Sequence, residues 1–297
     1  MINKPDYGSP MQVQNSAAPT SAQHLTVWIN GVRYESQSAA TVPATDHGLV
    51  AGDGVFESLK VTNGGPFALQ RHLDRLSRSA AAMGLPAPDH ARIRAAIEEV
   101  LDGREFDHGR LRITYTAGLG PLSSAAPYGP PTLVVAVEPA ELPAASTAIV
   151  TAPWTRNEHG ALSGVKSTSY AENVRTLAYA TSRRATEAIF LNTEGNVCEG
   201  TGTNIFVVID GTIVTPPLSS GPLAGITREV ILEWCDVEER DFTLAEAMAA
   251  EEVFITSSLR DVQAVRRWDD HDFGIPRAMT DRVATTFAEQ SSTVIDP

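Results

Sequence analysis

At 297 residues, with 42% hydrophobic and 20% charged residues, the chain is long enough for a sizeable core in one or two domains. Its formal net charge of −13 excludes DNA or RNA as a main partner, because neutralising phosphates requires a basic surface. No apolar run approaches the roughly 18 residues of a membrane helix, the first residues lack a signal-peptide pattern, and two cysteines without metal spacing make a reducing cytoplasm the expected compartment.

Residues 1–23 are polar, without periodicity, and read as a disordered tail. LTVWINGVRYES holds two β-prone runs around Asn30-Gly31, which predicts a hairpin. GVFESLKV, 54–61, reads as a strand, and the turn Asn63-Gly64-Gly65 leads to a second strand at PFAL. Leu69, Leu73, Leu76, Ala80 and Met83 recur at helical spacing over 69–83, and Ile93, Ile97, Val100 and Leu101 mark another helix. RLRITYTA, 110–117, and PTLVVAVEP, 131–139, are strands. The expected first unit is a smaller α+β domain over 24–140, followed by a Pro- and Ala-rich linker at 141–147. The second domain, 148–297, has strands at TAIVTAP and EAIFLN, and a helix carrying Tyr170, Val174, Leu177 and Ala178. A turn at Glu194-Gly195-Asn196, a hairpin closing at Asp210-Gly211, a helix over 225–235 and a strand at EEVFITS complete it.

Of 23 basic residues only Lys4, Lys60 and Lys166 are lysines. Lys166 sits among small residues, in GVKSTSYAENV, just before a helix; an amine there can lose its proton and attack a carbonyl, which a guanidinium cannot. Glu199 follows a strand and precedes Gly-Thr-Gly-Thr, where it could serve as a turn residue or hold a pyridinium nitrogen. In LAGITREV, Gly225 permits close approach, and Ile226 and Thr227 offer backbone N–H groups at a helix start, an anion site by construction. Arg71 and Arg75 lie four apart on one helix face, and an inward arginine beside that turn would complete a phosphate cradle. Taken singly, each stretch also suits solvated surface or an ordinary cap. In GRLRITYTAG, alternation puts Arg110, Arg112, Thr114 and Thr116 on one face and Leu111, Ile113 and Tyr115 on the other.

The set DHGLVAGDGVFESLKV, HLDRL, VKSTSYAENV, EGNVCEGTGTNIFVV, TPPLSSGPLAGITRE and EEVFITSSLRDVQAV, in that order, resembles the class IV aminotransferases, the fold-type IV enzymes dependent on pyridoxal 5′-phosphate. The resemblance implies an α+β (α/β) two-domain fold whose larger C-terminal domain has a β-barrel-like core, with the cofactor at the domain interface. It implies that Lys166 is the Schiff-base lysine and that Glu199 is the partner of the pyridine nitrogen. Arg75 matches the phosphate arginine more closely than Arg71 does. Gly225, Ile226, Thr227 and Ser258 would complete the phosphate site, and Tyr170 would bond the cofactor's phenolic oxygen. Phe56, Arg110, Arg112, Leu259 and Arg260 are the expected substrate contacts, for a small amine bearing carboxylates. The resemblance also implies a homodimer.

Departures from the family pattern bear on the reaction. Phe56 and Ala117 stand where the D-amino-acid enzymes have a Tyr and an Arg, which disfavours D-amino-acid transfer. Ala51 and Arg110 replace tyrosines of the branched-chain enzymes, while Arg112 fits their arginine. His47 stands where many members have Arg. The chain most resembles the 4-amino-4-deoxychorismate lyase-like bacterial members. A transaminase for branched-chain L-amino acids or (R)-amines, and a PLP-binding protein without turnover, are the alternatives.

Overall fold

The computed structural model describes residues 25–35, 38–62, 65–274 and 277–297. The tail read over 1–23 and the Asn63-Gly64 part of the turn lie outside them.

A first sheet is built from β1 (Thr26–Ile29), β2 (Val32–Tyr34), β3 (Gly54–Thr62), β4 (Gly65–Pro66), β5 (Gly109–Thr116) and β6 (Thr132–Pro139). It carries three helices, α1 (His47–Val50), α2 (Leu69–Ala82) and α3 (His90–Leu101). Its strand order is β2-β1-β6-β5-β3-β4, and every pairing is antiparallel. The β1–β2 hairpin closes at Asn30 and Gly31 with φ of 49° and 106°, the left-handed pair that a two-residue turn requires. The strand expected at PFAL shrinks to Gly65–Pro66, because Ala68 adopts φ 54° and α2 begins at Leu69.

One face of this sheet is core. Leu59, Leu111, Ile113 and Val135 are fully buried there against Leu73 and Leu76 of α2 and Ile93 of α3. The other face carries Phe56, Ser58 and Lys60, which stand opposite Thr114, Arg112 and Arg110 across the β3–β5 ladder.

The second sheet comprises β7 (Ser146–Arg156), β8 (Glu187–Asn192), β9 (Val197–Gly200), β10 (Asn204–Ile209), β11 (Thr212–Thr215), β12 (Glu238–Glu239), β13 (Glu252–Ser257), β14 (Asp261–Trp268) and β15 (His271–Asp272). Around it run α4 (Ala171–Ser182), α5 (Ile226–Trp234), α6 (Leu244–Ala249) and α7 (Ala278–Thr293). The order is β12-β11-β10-β13-β14-β7-β8-β9, with β15 on β14. The β14–β7, β7–β8 and β11–β12 pairings are parallel. Asp210 and Gly211, at φ 50° and 72°, close the β10–β11 hairpin as expected.

Three expectations need correction. The 147–153 strand runs longer, to Arg156. The α4 helix forms, but Val174 and Leu177 are exposed while Asn173, Thr176 and Ala180 face inward. Strand β14 and helix α7 were not expected; α7 buries only Thr280, Val283 and Phe287 of its 16 residues, a sparse apolar signal.

Two ties join the sheets beside the cleft between them. Lys60 Nζ lies 2.6 Å from both carboxylate oxygens of Asp261. Arg71 of α2 bonds Glu229 and Glu233 of α5 at 2.5 and 2.7 Å. Arg71 is thus a strap between helices, not a phosphate ligand. Among the described residues no helix is long and apolar enough to cross a membrane, and no group of three or more His, Cys, Asp or Glu side chains is placed to hold a metal ion.

Candidate active site

Lys166 lies where the two sheets meet, at the junction of two cavities of about 480 and 370 Å³ that share Lys166, Tyr170, Gly202 and Leu223. Backbone bonds fix it. Lys166 C=O accepts the N–H of Phe56 at 3.0 Å, and Thr168 N–H donates to Gly54 C=O at 2.8 Å, so the segment zips onto β3. Its own N–H donates to Ser79 Oγ of α2 at 3.3 Å. The amine stands 4.6 Å from the centre of the Phe56 ring. Burial, with help from Arg75, lowers its pKa from 10.5 to about 8, against the pull of Glu57 and Glu199. A fraction of the amine is therefore neutral and nucleophilic near pH 7.

Glu199 lines the smaller cavity. Its Oε2 accepts the N–H of Leu223 at 2.9 Å, and Arg156 Nε stands 3.4 Å from Oε1. Burial pushes this carboxyl up, opposed by Arg156, the Leu223 N–H and Lys166. A cation brought beside it would stabilise its ionised form. Arg156 had no local sequence signal. It also bonds Glu172 at 2.5 Å and stacks its guanidinium 4.2 Å from the Phe190 ring centre.

At the other end, Gly225 caps the start of α5, and Ile226 and Thr227 are buried while lining the larger cavity. A Cβ on Gly225 would stand 1.9 Å from Asn204 Oδ1, so any side chain where the chain turns into the helix would have to displace Asn204. Arg75 is buried there, but it is already engaged. Nε and Nη2 donate to the two oxygens of Glu57 at 2.8 and 2.6 Å, and Nη1 donates to Ala224 C=O at 2.7 Å. Two of its five N–H groups are left for an anion. Arg75 thus holds the turn before α5 as well as facing the cavity.

Glu57, which the sequence reading passed over, is the centre of this corner. It is fully buried, and its pKa is lowered to about 2: the Arg75 guanidinium and His72 outweigh the burial that opposes them. His72 Nδ1 lies 2.7 Å from Glu57 Oε2, and His72 Nε2 lies 3.4 Å from Ser258 Oγ.

The remaining expected contacts divide. Phe56, Ser258 and Leu259 line the larger cavity, as do Arg110 and Arg112. Arg112 lies 3.9 Å above the Phe56 ring centre and donates to Thr114 Oγ1 at 3.2 Å. Arg110 is paired with Glu138 at 3.1 Å. Arg260 is not among the residues lining these two cavities; it bonds Thr186 and Gln263, and it lines a third cavity of about 190 Å³ beside Tyr170 and Gly202. Tyr170 packs edge-on against Phe56 and donates its hydroxyl to Thr201 C=O at 2.7 Å, so that proton is not free for a cofactor oxygen. Burial, reinforced by Glu199 and Glu187, pushes the phenol up to about 12 and keeps it neutral. His47 is buried between Asp53 and the Pro121 carbonyl, away from the cavity lining. Lys60, the other lysine among the described residues, is committed to Asp261.

These residues fit pyridoxal 5′-phosphate. An amine that can be neutral stands between a carboxyl that gains from a cation and a helix start that gains from an anion. Gly202, at the junction, has nothing within 4 Å of where a Cβ would stand, which leaves room for a flat ring.

The model of the class IV amino-transferase family matches residues 54–268. The bifunctional aminodeoxychorismate lyase/D-amino acid transaminase of Mycobacterium tuberculosis is 29% identical over 276 residues, covering 83% of this chain and 90% of that protein. The branched-chain aminotransferase of Thermoproteus uzoniensis, solved with norvaline, superposes with a TM-score of 0.82 at 28% identity, over 89% of this chain and 93% of that one. A hypothetical aminotransferase of Mycobacterium tuberculosis in its PLP-bound form gives 0.78 at 26% identity, over 89% and 99%.

Proposed function

The chain belongs to the class IV aminotransferases, PLP-dependent enzymes, and on that premise we propose that it converts 4-amino-4-deoxychorismate into 4-aminobenzoate and pyruvate. The observation that carries this reading is the pair Arg110 and Arg112 on the wall of the cavity that holds Lys166. That substrate brings two carboxylates, and guanidinium groups are the side chains best suited to receive them.

When bound, the cofactor supplies an aldehyde for the substrate amine and a ring that accepts the electron pair left by proton removal. Lys166, partly neutral at a pKa of about 8, takes the proton from C4 of the substrate. Glu199 would hold the charge of the cofactor's ring nitrogen, and the start of α5 with Ser258 would hold its phosphate. Phe56 packs 4.6 Å from the amine, and Tyr170 packs edge-on against Phe56. Loss of the enolpyruvyl group as pyruvate then yields the aromatic ring. Atoms balance without a second substrate.

Transamination is the second reading, and one observation favours it. Glu138 already occupies Arg110, which leaves Arg112 for a substrate carboxylate, and one carboxylate is what an α-amino acid offers. Lys166 would serve there too, as the amine that takes up the proton and gives it back. Pairing into a homodimer is part of the proposal, supported by the exposed Val174 and Leu177 on α4, and sedimentation tests it.

The deciding measurement supplies holoenzyme with 4-amino-4-deoxychorismate and no keto acid. Equal, catalytic yields of 4-aminobenzoate and pyruvate, absent in Lys166→Ala, are expected. No product, with amino transfer from L-leucine, D-alanine or an (R)-amine to a keto acid, would make the protein a transaminase.

A further inference from the structure

His72 is a buried titratable side chain with no part in the proton transfer above. It sits on α2, 1% exposed, with one ring nitrogen on Glu57 and the other on Ser258. Glu57 is ionised, so it can only accept, and His72 Nδ1 must carry a proton. The state of Nε2 then decides what Ser258 can do. If Nε2 is bare, the Ser258 hydroxyl donates to it and turns lone pairs toward the cavity. If Nε2 is protonated, it donates to Ser258 Oγ, and the hydroxyl proton is free to point at an anion.

We propose that His72 is a positioning residue that takes up its second proton when a phosphate dianion binds at Ser258, so that Glu57, His72 and Ser258 act as one relay of hydrogen bonds ending on the phosphate. This rests on the reading that the cofactor's phosphate lies between Ser258 and the start of α5. The charged groups facing His72 are Glu57 from β3, Arg75 from its own helix and Lys166 from the segment zipped onto β3. In the structure as it stands, burial holds the imidazole below its ordinary value, and Glu57 does not overcome burial, Arg75 and Lys166 together. A phosphate on the far side of Ser258 adds negative charge and a strong acceptor, both of which favour the imidazolium. Proton uptake on binding has a sign: affinity for the phosphate weakens as pH rises. The relay also explains why a buried carboxylate has a guanidinium and a titratable imidazole as partners behind a cavity whose ligand is itself anionic.

The test is 15N NMR of histidine-labelled protein at neutral pH, loaded with pyridoxal phosphate or with pyridoxal, which lacks the phosphate. His72 is assigned by its loss in His72→Asn, or by its perturbation in Ser258→Ala if the first variant does not fold. We expect one bare ring nitrogen on His72 in the unloaded protein and with pyridoxal, and none with pyridoxal phosphate. In Ser258→Ala, pyridoxal phosphate should leave the bare nitrogen in place and bind about tenfold more weakly, the loss of one charge-assisted hydrogen bond. A bare nitrogen that persists in the phosphate-loaded protein overturns the proposal. So does full protonation with pyridoxal, or in loaded Ser258→Ala. Failure of both compounds to bond Lys166 would refute the cofactor reading itself, and the relay with it.

Discussion

Lys166 and Glu57 show how far burial alone can be overruled or obeyed. Burial prevails at Lys166 and lowers the amine to about 8; the rate at which unloaded protein takes up pyridoxal phosphate should therefore rise with pH and level off above about 8. A rate still climbing toward 10.5 would show an ordinary, solvated lysine. At Glu57 the two basic partners prevail, with a value of about 2 against an ordinary 4.5. Its folded value lies below its unfolded one, so the stability it contributes is present above pH 4.5 and is lost as pH falls toward 2. Denaturant midpoints measured across that window should fall in the native chain and fall less in Glu57→Gln. Truncation to Ala should cost about 3–5 kcal/mol, because it leaves Arg75 buried without its partner. Glu199→Gln keeps the shape of its corner and loses the charge; turnover should fall by about 10²-fold while borohydride still traps the cofactor on Lys166. Unchanged turnover would remove Glu199 from the ring nitrogen.

At the level of elements, α2 organises the site from behind. Arg71 reaches α5, His72 and Arg75 reach Glu57, and Ser79 reaches the backbone of Lys166. The start of α5 depends on a missing side chain. Gly225→Ala should push against Asn204, costing about 1–3 kcal/mol in stability and weakening pyridoxal phosphate, with partial rescue by Asn204→Gly. An undisturbed melting midpoint and affinity would show that the turn has room to move. The sequence made α2, β3 and β5 legible, because Leu73, Leu76, Leu111 and Ile113 repeat at the period of their element and all face one core. It made Lys166, Glu199 and Gly225 legible through their neighbours in the chain. Glu57 and Arg156 were not legible, since their partners are 18 and 43 residues away and no local pattern marks a buried ion pair. Val174 and Leu177 misled for the opposite reason: a helical period shows that one face is apolar, not what covers it.

For the whole molecule, the position of the cleft between two sheets predicts shared stability. Trp28 lies in the core of the first sheet and Trp268 in that of the second. Loading with pyridoxal phosphate at about 100 times its Kd should add about 2.7 kcal/mol. Single-tryptophan variants reporting on each core should shift together, because Lys60–Asp261 and Arg71–Glu229 already tie the sheets. A shift confined to one reporter would show two independently melting halves. The alternation of β5 has a consequence for how such a protein can diverge. Leu111, Ile113 and Tyr115 are locked in the core, while Arg110, Arg112 and Thr114 between them stand on the face toward the cleft. On the proposed reading, folding and choice of substrate are written in alternate letters of one strand. A lineage could rewrite the second set, one substitution at a time, and try new substrates while the core and the Lys166 corner stay as they are.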